Sequence, residues 1–334
     1  MNPFFSVIIP VYNRPQELAE LLDTLVSQSN QNFEVVVIED GSDLDAANVA
    51  MSYTGKLHVR YFVKPNSGQG YSRNYGFERA RGEFFIILDS DVLLPANYLQ
   101  TVYDAIKRDS LDAFGGPDAA HESFNNIQKA ISYAMTSMFT TGGIRGAKIN
   151  LGGTFHPRSF NMGLSRKVYE TLGGFKITRL GEDIEYSLRI QNAHFKSRLL
   201  PNAFVYHKRR STMNEFWKQT HFFGRARINI FTFYPKSLKP VHFLPALFTV
   251  YVGFTVLCIP LLWFKTFTVA ACGLAFYSLC IFADALLRYK NLAIALLSVE
   301  ASGVQLIGYG IGFITDLFKR VIFKALKLSS FVIT

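Results

Sequence analysis

The chain has 334 residues, 49% of them apolar, and a formal net charge of +10, enough for a sizeable folded core with material to spare. Its three cysteines, Cys258, Cys272 and Cys280, all fall in apolar sequence, which excludes a disulfide framework or thiolate metal site in the polar part. The basic residues crowd from Lys208 to Lys239, at Arg288 and Lys290, and from Lys319 to Lys327; they flank apolar segments, so membrane lipids account for them and no nucleic-acid partner is expected.

The first hundred residues alternate apolar β-formers with helical patterns. Strands are predicted over residues 4–11, 33–38, 57–63 and 83–88, and helices over 15–28, near 43–52 and over 71–80, with Pro15 placed to start the first. Such alternation implies a parallel sheet with helices on both faces, which binds ligands beyond the carboxyl ends of its strands. Polar residues stand at those ends: Asn13 and Arg14 after the first strand, Glu39-Asp40-Gly41-Ser42 after the second, and a glycine-rich loop from Lys64 that opens onto a helix. The fourth strand ends in Asp89-Ser90-Asp91. Side chains two positions apart on an extended backbone share a face, so both carboxylates can address one hard cation and the phosphates it carries. Standing alone, the pair also reads as a solvated turn before the helix after Pro95.

The next part is less regular. A strand is predicted near 160–165, a helix over 182–192, and short strands at 196–200 and 204–206. Helix 212–233 mixes Phe216, Trp217, Phe222 and Phe223 with Lys218, Arg225 and Arg227, a composition suited to the membrane interface or to packing on the sheet. From residue 240 the chain is almost wholly apolar. Segments 241–264 and 266–287 each offer about 20 residues free of charge until Asp284, so both are predicted to span a membrane. Segment 291–318 is interrupted by Glu300, Gln305 and glycines 303, 308, 310 and 312, with basic residues at both ends. It is predicted as a re-entrant or interfacial pair of short helices rather than a third crossing, with Glu300 facing protein or water, followed by a basic tail. The first apolar run is short, contains Pro10 and lacks a basic leader, so no signal peptide is expected and the polar part should stay in the cytosol.

Six stretches stand in order: Phe4 to Arg14, Glu39 to Ser42, Lys64 to Gly76, Asp89 to Asp91, Asn161 to Arg166, and Gly181-Glu182-Asp183. Together they resemble the family 2 glycosyltransferases of GT-A fold, over roughly residues 4–230. The resemblance implies an α/β GT-A fold, Rossmann-like, with a mostly parallel sheet and helices on both faces, followed by an α-helical membrane region. The expected divisions are a catalytic domain at 1–210, an interfacial helix and linker at 211–239, and a membrane region at 240–334.

It also implies site residues. Asp91 would bind Mg2+ or Mn2+ with Asp89 nearer the nucleotide or sugar, and His207 would add a nitrogen ligand unless it is merely structural. Pro10, Tyr12 and Arg14 would line the nucleobase slot, Asp40 would bond the base or its ribose, and Arg73 would approach the nucleotide. Gly163 would let the backbone pass close to the donor sugar, and Arg225 and Arg227 would lie near the diphosphate. Asp183 would be the general base, although acids in a helix's first turn also favour the dipole in any protein.

The implied activity is metal-dependent, inverting sugar transfer from a nucleotide-diphosphate donor to a lipid-linked saccharide at the cytoplasmic face of the inner membrane, in surface polysaccharide synthesis. A polyprenyl-phosphate sugar transferase is the nearer alternative. A processive synthase is disfavoured because Gln219 is followed by Thr-His-Phe-Phe, without the Arg-Trp of the processive motif. A catalytically silent membrane scaffold is opposed by the intact carboxylate set. The oligomeric state is not legible.

Overall fold

The computed structural model describes residues 3–119, 121, 124–141 and 155–322. The chain forms two compact units, Met1–His121 with Thr154–Lys208, and Glu122–Gly153 with Arg209–Thr334.

In the first unit the strands are β1 (Phe5–Val11), β2 (Phe33–Glu39), β3 (Val59–Val63), β4 (Phe84–Leu88), β5 (Val92–Leu93), β6 (Ala113–Gly115), β7 (Asp118–Ala119), β8 (Asn161–Ser165), β9 (Ser197–Leu199) and β10 (Val205–His207). Seven form one sheet in the order β3-β2-β1-β4-β8-β6-β9. Only β8 runs against its neighbours β4 and β6; the other pairings are parallel. Strands β2 and β4 are buried along their whole length, as both-face coverage requires of a parallel sheet.

Strand alternation sorts the side chains into two layers. Val7, Ile9, Val35 and Ile86 pack with Leu18, Leu21 and Leu25 of helix Pro15–Val26 and with Leu99 and Val102 of helix Tyr98–Asp109. Ile8, Val36, Phe85 and Ile87 face Phe77, Phe175, Tyr186 and Ile190 instead. The carboxyl ends of β1, β2 and β4 thus emerge on one rim. A second small sheet, β5-β10-β7, sits beside it in the chain's topology, and its antiparallel pairing sets His207 opposite Val92.

The second unit is helical. Its described helices are Asn126–Thr136, Met213–Phe233, Leu244–Leu257, Phe264–Tyr289 and Leu292–Asp316, with a short helix at Met138–Thr141 and a wider turn at Leu317–Ile322 continuing the last. Helix Asn126–Thr136 has no counterpart in the predicted elements; Asn125 and Gln128 cap it reciprocally. Three stretches are long and apolar enough to cross a membrane: Pro240–Leu257, Phe264–Tyr289 and Leu292–Ile322, of 18, 26 and 31 residues. The first is shorter than predicted because the chain turns after Leu257, next to Pro260.

The third differs in kind. It is one unbroken helix, not a re-entrant pair, and Glu300 lies on its exposed side. Glycines 308, 310 and 312 are contact points, not breaks, while Gly303 faces open space. A side chain at Gly308 would strike Thr220, and one at Gly312 would strike the His221 carbonyl. On the facing helix Gly224 rests against the backbone of Tyr309 and Phe313, so small residues let two backbones touch. Helix Met213–Phe233 therefore packs along an apolar helix, with Phe216 joining Ala301 in a buried cluster. Asp284, the acid in the second apolar stretch, accepts a 2.6 Å hydrogen bond from the Tyr133 hydroxyl.

Candidate active site

Asp89 and Asp91 leave β4, and β10 brings His207 back to them. The hydrogen bond from the Lys208 N–H to the Asp91 carbonyl, 3.0 Å, extends the β5/β10 ladder to the acid itself. As a result one ligand atom from each of Asp89, Asp91 and His207 lies within 4.8 Å of the others. His207 Nε2 is 3.1 Å from Asp91 Oδ1, yet that buried oxygen accepts no hydrogen bond among the described residues. About 3 Å is also the edge between neighbouring ligands in an octahedron with bonds of 2.0–2.1 Å. The donor set of two carboxylates and an imidazole suits Mn2+, and the carboxylates suit Mg2+, so the residues present fit a divalent cation. Burial opposes the charge on Asp91, but His207 and Arg14 outweigh it and hold its carboxyl well below the usual carboxylate range.

Arg14 Nη1 donates to Asp91 Oδ2 at 2.5 Å. Its guanidinium is thus committed to the acid pair, where the family pattern placed it in the nucleobase slot. Tyr12, at the end of β1, is 49% exposed, and Pro10 before it is half-buried. Asp40 is engaged within the chain. Its Oδ1 and Oδ2 accept from the Ser67 and Gly68 N–H groups at 3.0 and 2.9 Å, and Lys64 Nζ pairs with it. Both oxygens therefore organise the glycine-rich loop, whose Gly68 takes φ +88, a backbone state that suits glycine.

Arg73 is 0% exposed. Nη2 donates to Asp89 Oδ1 at 2.7 Å, and Nη1 to Glu182 Oε1 at 3.3 Å, with Gln69 Nε2 also bonded to Glu182. The residue expected near the nucleotide bridges the acid pair to the first turn of helix Glu182–Asn192. Burial and the neighbouring Asp183 push the Glu182 carboxyl up. Asp183 is next to it, with Arg158 Nη1 at 3.8 Å from Oδ2. Glu182, Gln69 and Arg158 were missed as site residues; Gln69 at the helix start carried a weak signal, and Arg158 carried none.

Gly163 serves packing. It lies mid-strand in β8, paired with Ile86 and Phe114, and the Phe114 ring occupies the space a Cβ would need. The close approach it allows is to that ring. Arg225 is paired with Asp316 in the helical unit, and Arg227 lies on the same helix, Met213–Phe233, with its Nε buried.

Residues 6–173 match the model of glycosyl transferase family 2. The chain is 35% identical over 131 residues to an uncharacterized glycosyltransferase of Rickettsia felis, covering 38% of this chain and 21% of that protein. It is 28% identical over 118 residues to the glycosyltransferase GlyG of Streptococcus pneumoniae serotype 4, covering 35% of this chain and 39% of that protein. The chain spans well under two thirds of the length of these curated relatives. The mannosyltransferase PcManGT from Pyrobaculum calidifontis, solved in complex with GDP-Man and Mn2+, superposes with a TM-score of 0.59 at 18% identity, over 96% of this chain and 88% of that one. That likeness is one of fold. The mostly parallel sheet, the acid pair at its rim and a family model matched over half the chain agree, and the chain belongs to glycosyl transferase family 2.

Proposed function

We propose that the chain transfers a sugar from a nucleoside-diphosphate donor to a lipid-linked saccharide, with inversion at the anomeric carbon and with Mg2+ or Mn2+ held by Asp91, His207 and Asp89. The observation that carries this reading is the convergence of Asp89, Asp91 and His207, one ligand atom of each lying within 4.8 Å of the others, with the buried Asp91 Oδ1 3.1 Å from His207 Nε2. A bound cation there would neutralise the departing diphosphate.

The remaining demands fall to side chains. Asp183 accepts the acceptor hydroxyl's proton as that oxygen attacks the face opposite the diphosphate. Arg73 keeps Asp89 and Glu182 in fixed register, so the donor side and the base helix move as one piece. The three long apolar helices are compatible with a membrane anchor, and the basic residues at Lys236–Lys239 and Arg288–Lys290, which bracket the first two of them, favour a cytoplasmic catalytic unit in a cell membrane. Such an anchor keeps the enzyme where lipid-linked acceptors are.

The test is product analysis with purified full chain, a panel of labelled nucleotide sugars and a bacterial membrane-lipid extract. The expected result is label in a solvent-extractable saccharide of inverted configuration, formed only with Mg2+ or Mn2+. Retained configuration, or full turnover in excess EDTA after metal stripping, would sink the proposal.

A further inference from the structure

Asp316 closes helix Leu292–Asp316 and is 2% exposed. Both its oxygens are used by arginines. Arg225 Nε donates to Oδ1 at 3.1 Å and Arg320 Nε to Oδ2 at 2.7 Å. Arg320 Nη1 also donates to Asn229 Oδ1 at 3.0 Å. One guanidinium would neutralise the acid; the second leaves the cluster with a net positive charge. Among the described residues Arg225 is gripped through Nε alone and Arg320 through Nε and Nη1, which leaves both Nη groups of Arg225 and Nη2 of Arg320 as donors, and the two side chains remain 39% and 37% exposed.

The surroundings make this a built feature. Gly224, just before Arg225, rests on the backbone of Tyr309 and Phe313, which fixes where Arg225 leaves its helix. Phe313, Ile228, Tyr309 and Leu317 pack beside the cluster. Two fixed guanidiniums thus stand at one end of a 31-residue apolar stretch, with apolar side chains on their flank. If that helix crosses a membrane, its end lies at headgroup depth. Planar guanidinium donors match phosphoryl oxygens in pairs, whereas a lysine acts only as a point charge.

We propose that Arg225 and Arg320 clamp the phosphate of a membrane lipid, with a phosphomonoester headgroup as the best match to the outward Nη donors, and that Asp316 is the positioning residue that aims them. The proposal rests on the membrane reading of Leu292–Ile322 and is independent of sugar transfer.

The test uses the full chain in detergent micelles, titrated with dihexanoyl phosphatidic acid, with inorganic phosphate and dihexanoyl phosphatidylcholine as separate arms, and read as equilibrium binding. Wild type should bind the phosphatidic acid saturably and inorganic phosphate far more weakly. The Arg225→Lys/Arg320→Lys double variant keeps two cations for Asp316 and should melt like wild type, but it should lose about tenfold or more in lipid affinity. Asp316→Asn keeps an acceptor for only one of the two arginines, so it should weaken lipid binding, and wild-type affinity in this variant would remove Asp316 from the positioning role. Undiminished binding by the double variant would overturn the clamp. Inorganic phosphate binding as tightly as the lipid would overturn the lipid assignment. Since no turnover is measured, the result stands apart from the fate of the sugar-transfer proposal.

Discussion

Glu34 and Asp91 are carboxylates at opposite ends of one parallel sheet, and they are treated differently. Glu34, in β2, is 1% exposed, and its bonds are complete: Oε1 accepts from Ser6 Oγ at 2.7 Å and the Arg81 N–H at 2.6 Å, and Oε2 from Arg60 Nη1 at 3.0 Å. Asp91 has one oxygen held by Arg14 and another, buried 3.1 Å from His207 Nε2, that meets the geometry of no full hydrogen bond among the described residues. A sealed polar network fixes a fold, whereas a buried atom left without a partner is a standing cost that a ligand can relieve. The contrast sets a sealed amino end against a carboxyl end that carries the candidate site, in line with where open α/β sheets bind ligands.

The largest expected effect tests the open end. Asp91→Asn should abolish metal-dependent transfer, by about three orders of magnitude or more given the several kcal/mol a metal contributes to leaving-group stabilisation. The purified protein should stay folded, with a modest fall in melting temperature as Arg14 loses its carboxylate. A variant that loses stability in step with activity would show Asp91 to be sealed like Glu34.

Asp183→Asn comes next. Transfer should fall by about two to four orders of magnitude, the range for a positioned acid or base, while calorimetry finds donor affinity nearly unchanged. Equal losses in affinity and rate would make Asp183 a donor contact and move the base elsewhere.

What the sequence made legible follows the same division. Asp89 and Asp91 were readable because an apolar run and two acids are local signals, and the strands that position them were predicted to within a few residues. His207 was a candidate without a mechanism; the pairing of β10 with β5, set by non-local sheet contacts, supplies one. Arg73 and Asp40 were selected as site residues from local pattern, which could not show that one also holds Asp89 and Glu182 and the other the glycine-rich loop. The glycines of Leu292–Asp316 misled for a related reason. Read along one helix they look like breaks; read in three dimensions, Gly308 and Gly312 are where helix Met213–Phe233 fits and Gly310 is where helix Leu244–Leu257 does.

A smaller effect is expected at the sealed end. Glu34→Gln leaves the Arg60 guanidinium without its carboxylate and forces an amide among donors, so stability should drop by about 1–3 kcal/mol. Transfer per folded molecule should stay at the wild-type level, because nothing around Glu34 reaches the rim. A fall in specific activity with unchanged melting would erase the distinction between the two ends.

The smallest and sharpest effect is in the acid limb of stability. Burial alone would push the Glu34 carboxyl up, but the hydrogen bonds from Ser6 and the Arg81 N–H and the Arg60 charge outweigh it and hold it below the ordinary glutamate value. The folded protein therefore binds fewer protons at this site than the unfolded chain once the pH nears the unfolded value of about 4.3. The stability Glu34 confers is then complete above that pH and drains as the pH falls through the lower, folded value. Glu34→Gln has no such proton to gain. The melting-temperature gap between wild type and Glu34→Gln, measured in micelles, should be widest near neutrality and should narrow below about pH 4 as the wild-type carboxyl becomes a neutral acid resembling the amide. A gap that stays constant down to pH 3 would mean that the charge on Glu34 contributes nothing and that shape alone seals the amino end of the sheet.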